Sequence, residues 1–241
     1  MDQVRIAFAS TAYGPLWRPV VDSWLRVIAW TQRELHRTGT GEIAATGLTD
    51  RMYTQTADNR LINDMLKADP PLTHIFHTEM DMILPDDCVT RLLALDKPVA
   101  AGVYFLRNGN GQPCLYRRAV SMPGGSFGMT PVSIYPQTRP FRLKGCAGLG
   151  CMLVKREVFE TLKPPWFECK EGEYGSDMYF YTNLLKADLE IWIDPLVRPG
   201  QIEYKVWGHD DYVNRLQQDP EFAGNGYMIG SDPEGFQDTG A

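Results

Sequence analysis

Through residue 105 the chain alternates between short apolar runs of β character and stretches of helical periodicity, and that alternation constrains its fold more than any other feature. Val4, Ile6 and Phe8 form a strand-like run, closed by a turn at Tyr13, Gly14 and Pro15. Val20, Val21, Trp24, Leu25, Val27 and Ile28 then recur at helical spacing. Residues 43–47 read as a second strand. Thr56 is placed to cap a helix bearing Leu61, Ile62, Met65 and Leu66 on one face, and Pro70 and Pro71 stop it. Ile75 and Phe76 begin a third strand, Pro85 opens a short helix through Val89, Leu92 and Leu93, and residues 99–105 form a fourth strand. Strands that alternate with helices predict an α/β fold: a mostly parallel sheet flanked by helices. In such sheets ligands sit at the carboxyl ends of strands.

The pattern changes after residue 107. The middle of the chain is richer in Gly, Pro and short β-like runs, which predicts a smaller antiparallel or loop-rich part. Regularity returns with a strand at 151–154, helices at 156–162 and 177–185, and a strand at 190–193. With 241 residues, 44% of them hydrophobic, the chain has enough material for one sizeable core. The expected organisation is a single domain over 1–218 and a Gly-, Asp- and Pro-rich tail or lid over 219–241. No apolar run approaches the roughly 18 residues of a membrane span, and no secretory signal is visible, so a cytoplasmic location is the expectation. Five scattered cysteines without a Cys-x-x-Cys pair argue against a disulfide framework or a structural zinc site. A net charge of −6 disfavours a surface devoted to nucleic acid phosphates. The cluster Arg107, Arg117, Arg118, Arg139, Arg142 and Lys144 reads as a solvated face.

Glu79 and Asp81 are the residues that point to chemistry. They lie one residue apart at the end of the third strand, and alternate side chains of a strand share a face. Two carboxylates so placed repel each other unless a cation or a proton intervenes, and hard oxygen ligands suit Mg²⁺ or Mn²⁺. His77 shares that face. His77-Thr78-Glu79 matches half of a zinc deaminase signature, but Pro113-Cys114 lacks the second cysteine of the other half. Gly148, Leu149 and Gly150 belong to a glycine-rich loop that precedes a strand, unlike a dinucleotide fingerprint, which follows one. Asp177 stands at a helix start, where it serves either as a first-turn acid or as a general base. His209 is either a metal ligand or a surface residue.

In order along the chain, these pieces resemble a glycosyltransferase of the GT-A fold, closest to the compact family-2-like enzymes of phage and bacterial genomes. The resemblance runs from about Val4 to Trp207. It is borne by the first strand and its loop, Ala57-Asp58-Asn59-Arg60, the Glu79-Met80-Asp81 strand end, the segment from Gly148 to Arg156, and Ser176-Asp177-Met178-Tyr179-Phe180. It implies a GT-A-like, Rossmann-like sheet and a metal-dependent transfer of a sugar from a nucleotide-sugar, expected to be a UDP-sugar, to an acceptor hydroxyl of a saccharide, a protein or a modified DNA base. By resemblance, Asp81 binds Mn²⁺ or Mg²⁺, and Glu79 binds it through water or touches the ribose. Thr11, Ala12, Tyr13 and Arg60 hold the nucleotide, Gly148, Leu149 and Gly150 line the sugar pocket, Asp177 is the base, and His77, to which the family pattern gives no metal role, is a packing residue. Three positions depart from the family pattern. Glu79 replaces the first aspartate, Ser176 replaces the acid before the base, and Gln201 stands where the family often has a histidine, for which His209 is a substitute. The departures keep a second reading open, a nucleotide-sugar-binding module without turnover. A sugar-nucleotide nucleotidyltransferase is a third, disfavoured because the loop at 10–15 lacks its basic, glycine-rich sequence.

Overall fold

In the computed structural model, residues 3–107, 111–121, 127–134, 137–169, 175–202, 206–218 and 227–228 are described. Strand β1 (Val4–Ala12) leads into helix α1 (Arg18–Thr38), then β2 (Gly41–Asp50) and α2 (Thr54–Leu66). Next come β3 (His74–Glu79), β4 (Met82–Ile83), α3 (Cys88–Ala94) and β5 (Val99–Ala101). The middle holds β6 (Leu115–Ser121), β7 (Phe127–Ser133), β8 (Phe141–Arg142) and β9 (Gly145–Ala147). The chain continues through β10 (Cys151–Lys155), α4 (Arg156–Leu162), α5 (Ser176–Lys186) and β11 (Ile191–Ile193). It closes with β12 (Gly200–Ile202), β13 (Val206–Trp207), α6 (His209–Gln218) and β14 (Tyr227–Met228).

Seven strands form the central sheet in the order β2-β1-β3-β10-β5-β11-β8. Strands β2, β1, β3, β5 and β11 run one way, and β10 and β8 run against them. This is the mostly parallel α/β sheet, flanked by helices, that the alternation predicts. The smaller antiparallel part of the middle is present as β7-β6-β9, which β14 joins in parallel, and a further antiparallel sheet, β13-β12-β4, forms from segments outside it.

Helices cover both faces of the sheet, which is why its strands are apolar on both sides. Ile6, Phe8, Phe76 and Leu153 meet Val20, Trp24, Val27 and Leu35 of α1 and Val89 and Leu92 of α3. Their alternates Ala7, Ala9, Ile75 and Val154 face the other layer, with Leu61 and Ile62 of α2, Val158 and Phe159 of α4, and Phe180, Tyr181 and Leu184 of α5. Helix α1 ends where Gly39 adopts a left-handed conformation (φ 66°), and its N–H bonds to the carbonyl oxygens of Leu35 and His36.

Two sequence expectations change. Helix α2 begins at Thr54 rather than at Thr56, with Tyr53 at its cap position and no side-chain cap. The fourth strand ends at Ala101, because after one more bond to β10 the backbone turns to the segment at Val197. The Gly102 N–H bonds to Cys151 O and the Val103 N–H to Val197 O. All five cysteines are free thiols, four of them buried and Cys169 exposed. Residues 219–226 and 229–241 of the expected tail lie outside the described residues, while Tyr227–Met228 pairs with β7. Among the described residues no helix is long and apolar enough to cross a membrane.

Phe76 is fully buried and packs on Phe8 at 5.4 Å. Phe76→Ala should cost about 3–5 kcal/mol, measured as a lower urea midpoint with an unchanged slope.

Candidate functional site

Strand β3 delivers Glu79 and, one turn later, Asp81 to the carboxyl end of the parallel strands. Strand β4 starts directly after Asp81 and pairs with β12, setting Gln201 opposite Met82. The Ile202 N–H donates to the Asp81 carbonyl at 2.8 Å. This pairing carries Gln201 to Asp81, where its Nε2 donates to Oδ2 at 3.2 Å. Arg107, in the loop after β5, reaches the same Oδ2 at 2.9 Å. Asp81 is 6% exposed, and its Oδ1 has no hydrogen-bond partner. Burial raises the Asp81 carboxyl above its ordinary range, opposed by the Arg107 charge and the Gln201 bond. Glu79 keeps partial exposure. Burial among dense protein atoms and the charge of Asp81 push its carboxyl up to about 8, against the pull of His77.

These groups face a cavity of about 220 Å³ whose wall also includes Thr11, Ala12 and Tyr13 from the end of β1 and Thr54 and Ala57 from α2. A more open depression of about 580 Å³ adjoins it, sharing Tyr13 and Met52 and adding Arg51, Tyr53 and Thr56. Tyr13 and Tyr53 are 58% and 84% exposed there.

The other sequence candidates separate. Arg60 lies in a distinct groove with Gly47, Asp50 and Asp64, and its guanidinium is 3.8 Å from the Asp64 carboxylate. Gly148, Leu149 and Gly150 do not line this cavity; Gly148 packs against Tyr104 and Cys114, and Leu149 and Gly150 bond to β3. Leu149 O bonds to His77 Nδ1 at 2.9 Å, and Gly150 O accepts from Thr78 Oγ1 at 2.8 Å. The glycine at 148 is required by space, since a Cβ there would lie 1.8 Å from the Tyr104 hydroxyl oxygen. Asp177 occupies the first turn of α5, and its Oδ1 accepts the Met178 N–H at 2.7 Å. Burial raises its carboxyl, and its charge is near enough to raise Glu79 as well. His209 begins α6, with its ring beside Phe105 and Tyr212 and Nδ1 3.7 Å from Asp210. Burial and the Arg198 charge lower its basicity. Among the described residues no group of three or more His, Cys, Asp or Glu forms a metal-holding cluster. The carboxylates that converge are Glu79 and Asp81, without His209.

His77 does pack, as expected, but as a polar link. It is fully buried, with Nε2 3.0 Å from Asp58 Oδ1 and Nδ1 facing the Leu149 carbonyl. Burial favours the neutral ring, yet the bond and charge of Asp58 and the Leu149 carbonyl outweigh it and raise its basicity. Next to Asp58, Asn59 Oδ1 accepts from the Trp166 N–H at 2.8 Å, and Nδ2 donates to Phe167 O at 2.6 Å. Sequence reading missed the roles of Arg107, Asp58 and Asn59. For Arg107 one signal was available, its place just beyond a strand of a parallel sheet.

No family model matches the chain. Protein A197 from STIV superposes with a TM-score of 0.58 at 15% identity, over 83% of this chain and 86% of that one. The likeness to A197 is one of fold. Weaker matches include 4-diphosphocytidyl-2C-methyl-D-erythritol synthase from Anaerococcus prevotii DSM 20548, with a TM-score of 0.45, 10% identity, and 90% and 99% of the two chains covered. Another is the catalytic domain of Drosophila beta1,4-galactosyltransferase 7, with a TM-score of 0.44, 14% identity, and 79% and 65% covered.

Two consequences are measurable. Glu79 keeps its proton in the folded state up to about pH 8, whereas in the unfolded chain it loses it near 4.5. Through that window the native state binds more protons, so stability falls as pH rises. In chelator-treated protein, Glu79→Gln should therefore gain on the wild type between pH 5 and pH 8, by about 2 °C or more in Tm; a constant difference would refute the raised value. Asp58→Ala leaves His77 Nε2 buried without its partner and should cost about 3–5 kcal/mol in chemical denaturation.

Proposed function

We propose that this protein is a metal-dependent glycosyltransferase, of the family-2-like GT-A kind, that moves a sugar from a nucleotide-sugar donor, a UDP-sugar, to an acceptor hydroxyl. One observation supports this most directly. A buried aspartate with an unpartnered oxygen, Asp81, stands beside Glu79 at the carboxyl end of the parallel strands and faces a polar cavity.

The residues present fit Mg²⁺ or Mn²⁺. Asp81 Oδ1 is a hard oxygen donor lacking a partner, and Glu79 is a second carboxylate within electrostatic reach. Asp81 would hold the ion, with Glu79 directly or through water. Such an ion, when bound, stabilises the charge that develops on a diphosphate leaving group.

The chain's own residues supply the rest. Thr11, Ala12 and Tyr13 border the cavity and would orient the donor's phosphates. The exposed rings of Tyr13 and Tyr53 beside the adjoining depression offer flat faces on which a base stacks. Asp177, partly buried and near Glu79, would take the proton from the acceptor hydroxyl. Residues 148–150 and the Asp58–His77 pair would hold the carboxylate strand in place.

A second reading, a nucleotide-sugar-binding module without turnover, is favoured by one contact set. Asp81 Oδ2 is already satisfied by Arg107 and Gln201, and Asp177 by its own helix.

The test is release of nucleoside diphosphate from a panel of nucleotide-sugars with Mn²⁺. Turnover that falls about 100-fold or more in Asp81→Asn is expected. Donor binding without any turnover would favour the module, and neither binding nor turnover would end both readings.

A further inference from the structure

Arg107 has three properties that the donor reading does not use. Its guanidinium lies in the wall of the cavity, 2.9 Å from Asp81 Oδ2, and it also bonds to the Tyr13 hydroxyl. Its side chain is 39% exposed, so it is not fixed by packing. It sits after β5, whereas its partners come from the ends of β1 and β3, so it spans the cavity mouth between elements distant in sequence. On the same cavity, Thr54 opens α2, whose cap residue Tyr53 supplies no side-chain bond.

Charge balance then makes a demand. The cavity holds the Asp81 carboxylate, the Glu79 carboxyl, which would lose its proton on binding an ion, and one guanidinium. A nucleoside diphosphate brings at least two negative charges, and a divalent cation offsets only those. A guanidinium is the side chain whose planar fork matches phosphate oxygens bidentately. Yet the same guanidinium is drawn to Asp81, the residue a metal ion would use. Two cations on one aspartate repel each other, so each weakens the other's hold.

We propose, resting on the donor reading above, that Arg107 is a second cationic contact for the diphosphate of the donor, and that it competes with the metal ion for Asp81. Arrival of the diphosphate gives Arg107 an alternative anion and frees Asp81 for the ion. Metal and nucleoside diphosphate therefore bind with positive coupling, and Arg107 is the residue that couples them.

Arg107→Met and Arg107→Lys separate the two roles; Arg107→Met also removes a partner of the buried Asp81 carboxylate and should lower the thermal midpoint by a few degrees, so binding is measured well below it. Free Mn²⁺, followed by its paramagnetic resonance signal with no nucleotide present, should bind Arg107→Met about tenfold more tightly than wild type. Calorimetry with UDP in saturating Mn²⁺ should show the opposite, affinity about tenfold to a hundredfold weaker, while uridine binds all forms alike. Arg107→Lys keeps the charge without the fork and should hold Mn²⁺ near the wild-type level while losing part of the UDP affinity. If wild type binds Mn²⁺ and UDP but Arg107→Met changes neither, or shifts both the same way, the role of Arg107 is overturned and the donor reading stands. If wild type binds neither, both fall.

Discussion

Strand β3 is the constraint on which core and site both depend. Its middle residues Ile75 and Phe76 are fully buried, one toward each helical layer. Its flanks are taken by β1 on one side and β10 on the other. A strand so enclosed has one register that keeps its apolar groups from water, since a slip by one residue would exchange its faces. That register also decides where the chain emerges, and it emerges as Glu79 and Asp81. The hydrophobic driving force thereby holds two carboxylates closer together than their mutual repulsion favours.

The polar groups around β3 are arranged to bear this. His77, inside the strand, is clamped between Asp58 and the Leu149 carbonyl, and its charge opposes that of Glu79. Asp81 leans on Arg107 and Gln201 through one oxygen and leaves the other bare. Glu79 has no comparable donor and answers instead by retaining its proton. Under the proposed function, these unequal solutions would let the two acids change partners when a cation and a polyanion arrive. The Asp58–Asn59 pair extends the support, for it ties α2 both to the strand and to the segment at 166–167 that precedes α5 and Asp177.

Much of the fold was legible because local signals and tertiary demand agree. The apolar runs at 4–9 and 75–76, the helical spacing from Val20 to Ile28, and the strand at 151–154 all lie where β1, β3, α1 and β10 form. The antiparallel placement of β10 between β3 and β5 was not legible, since a buried strand reads the same in either direction. In the site, Glu79 and Asp81 were visible from their spacing alone. Arg107 was hidden among surface arginines, and Gln201 was noticed only as a missing histidine. Nothing local marks a side chain whose partner is more than a hundred residues away, as Gln201 is from Asp81.

By itself the sequence determined the class of fold, the two layers of helices and the strand end that bears the carboxylates, because hydrophobic periodicity is a local property of the chain. Only the tertiary structure decided which groups meet those carboxylates. The pairing of β4 with β12 brings Gln201 to Asp81, the turn after β5 brings Arg107, and α6 carries His209 to Phe105. It also turned His77 from a simple packing residue into a buried polar link, since Asp58 reaches it only once α2 lies on the sheet. The physical reason is that burial is specified residue by residue, whereas electrostatic partners are specified by the closing of the sheet.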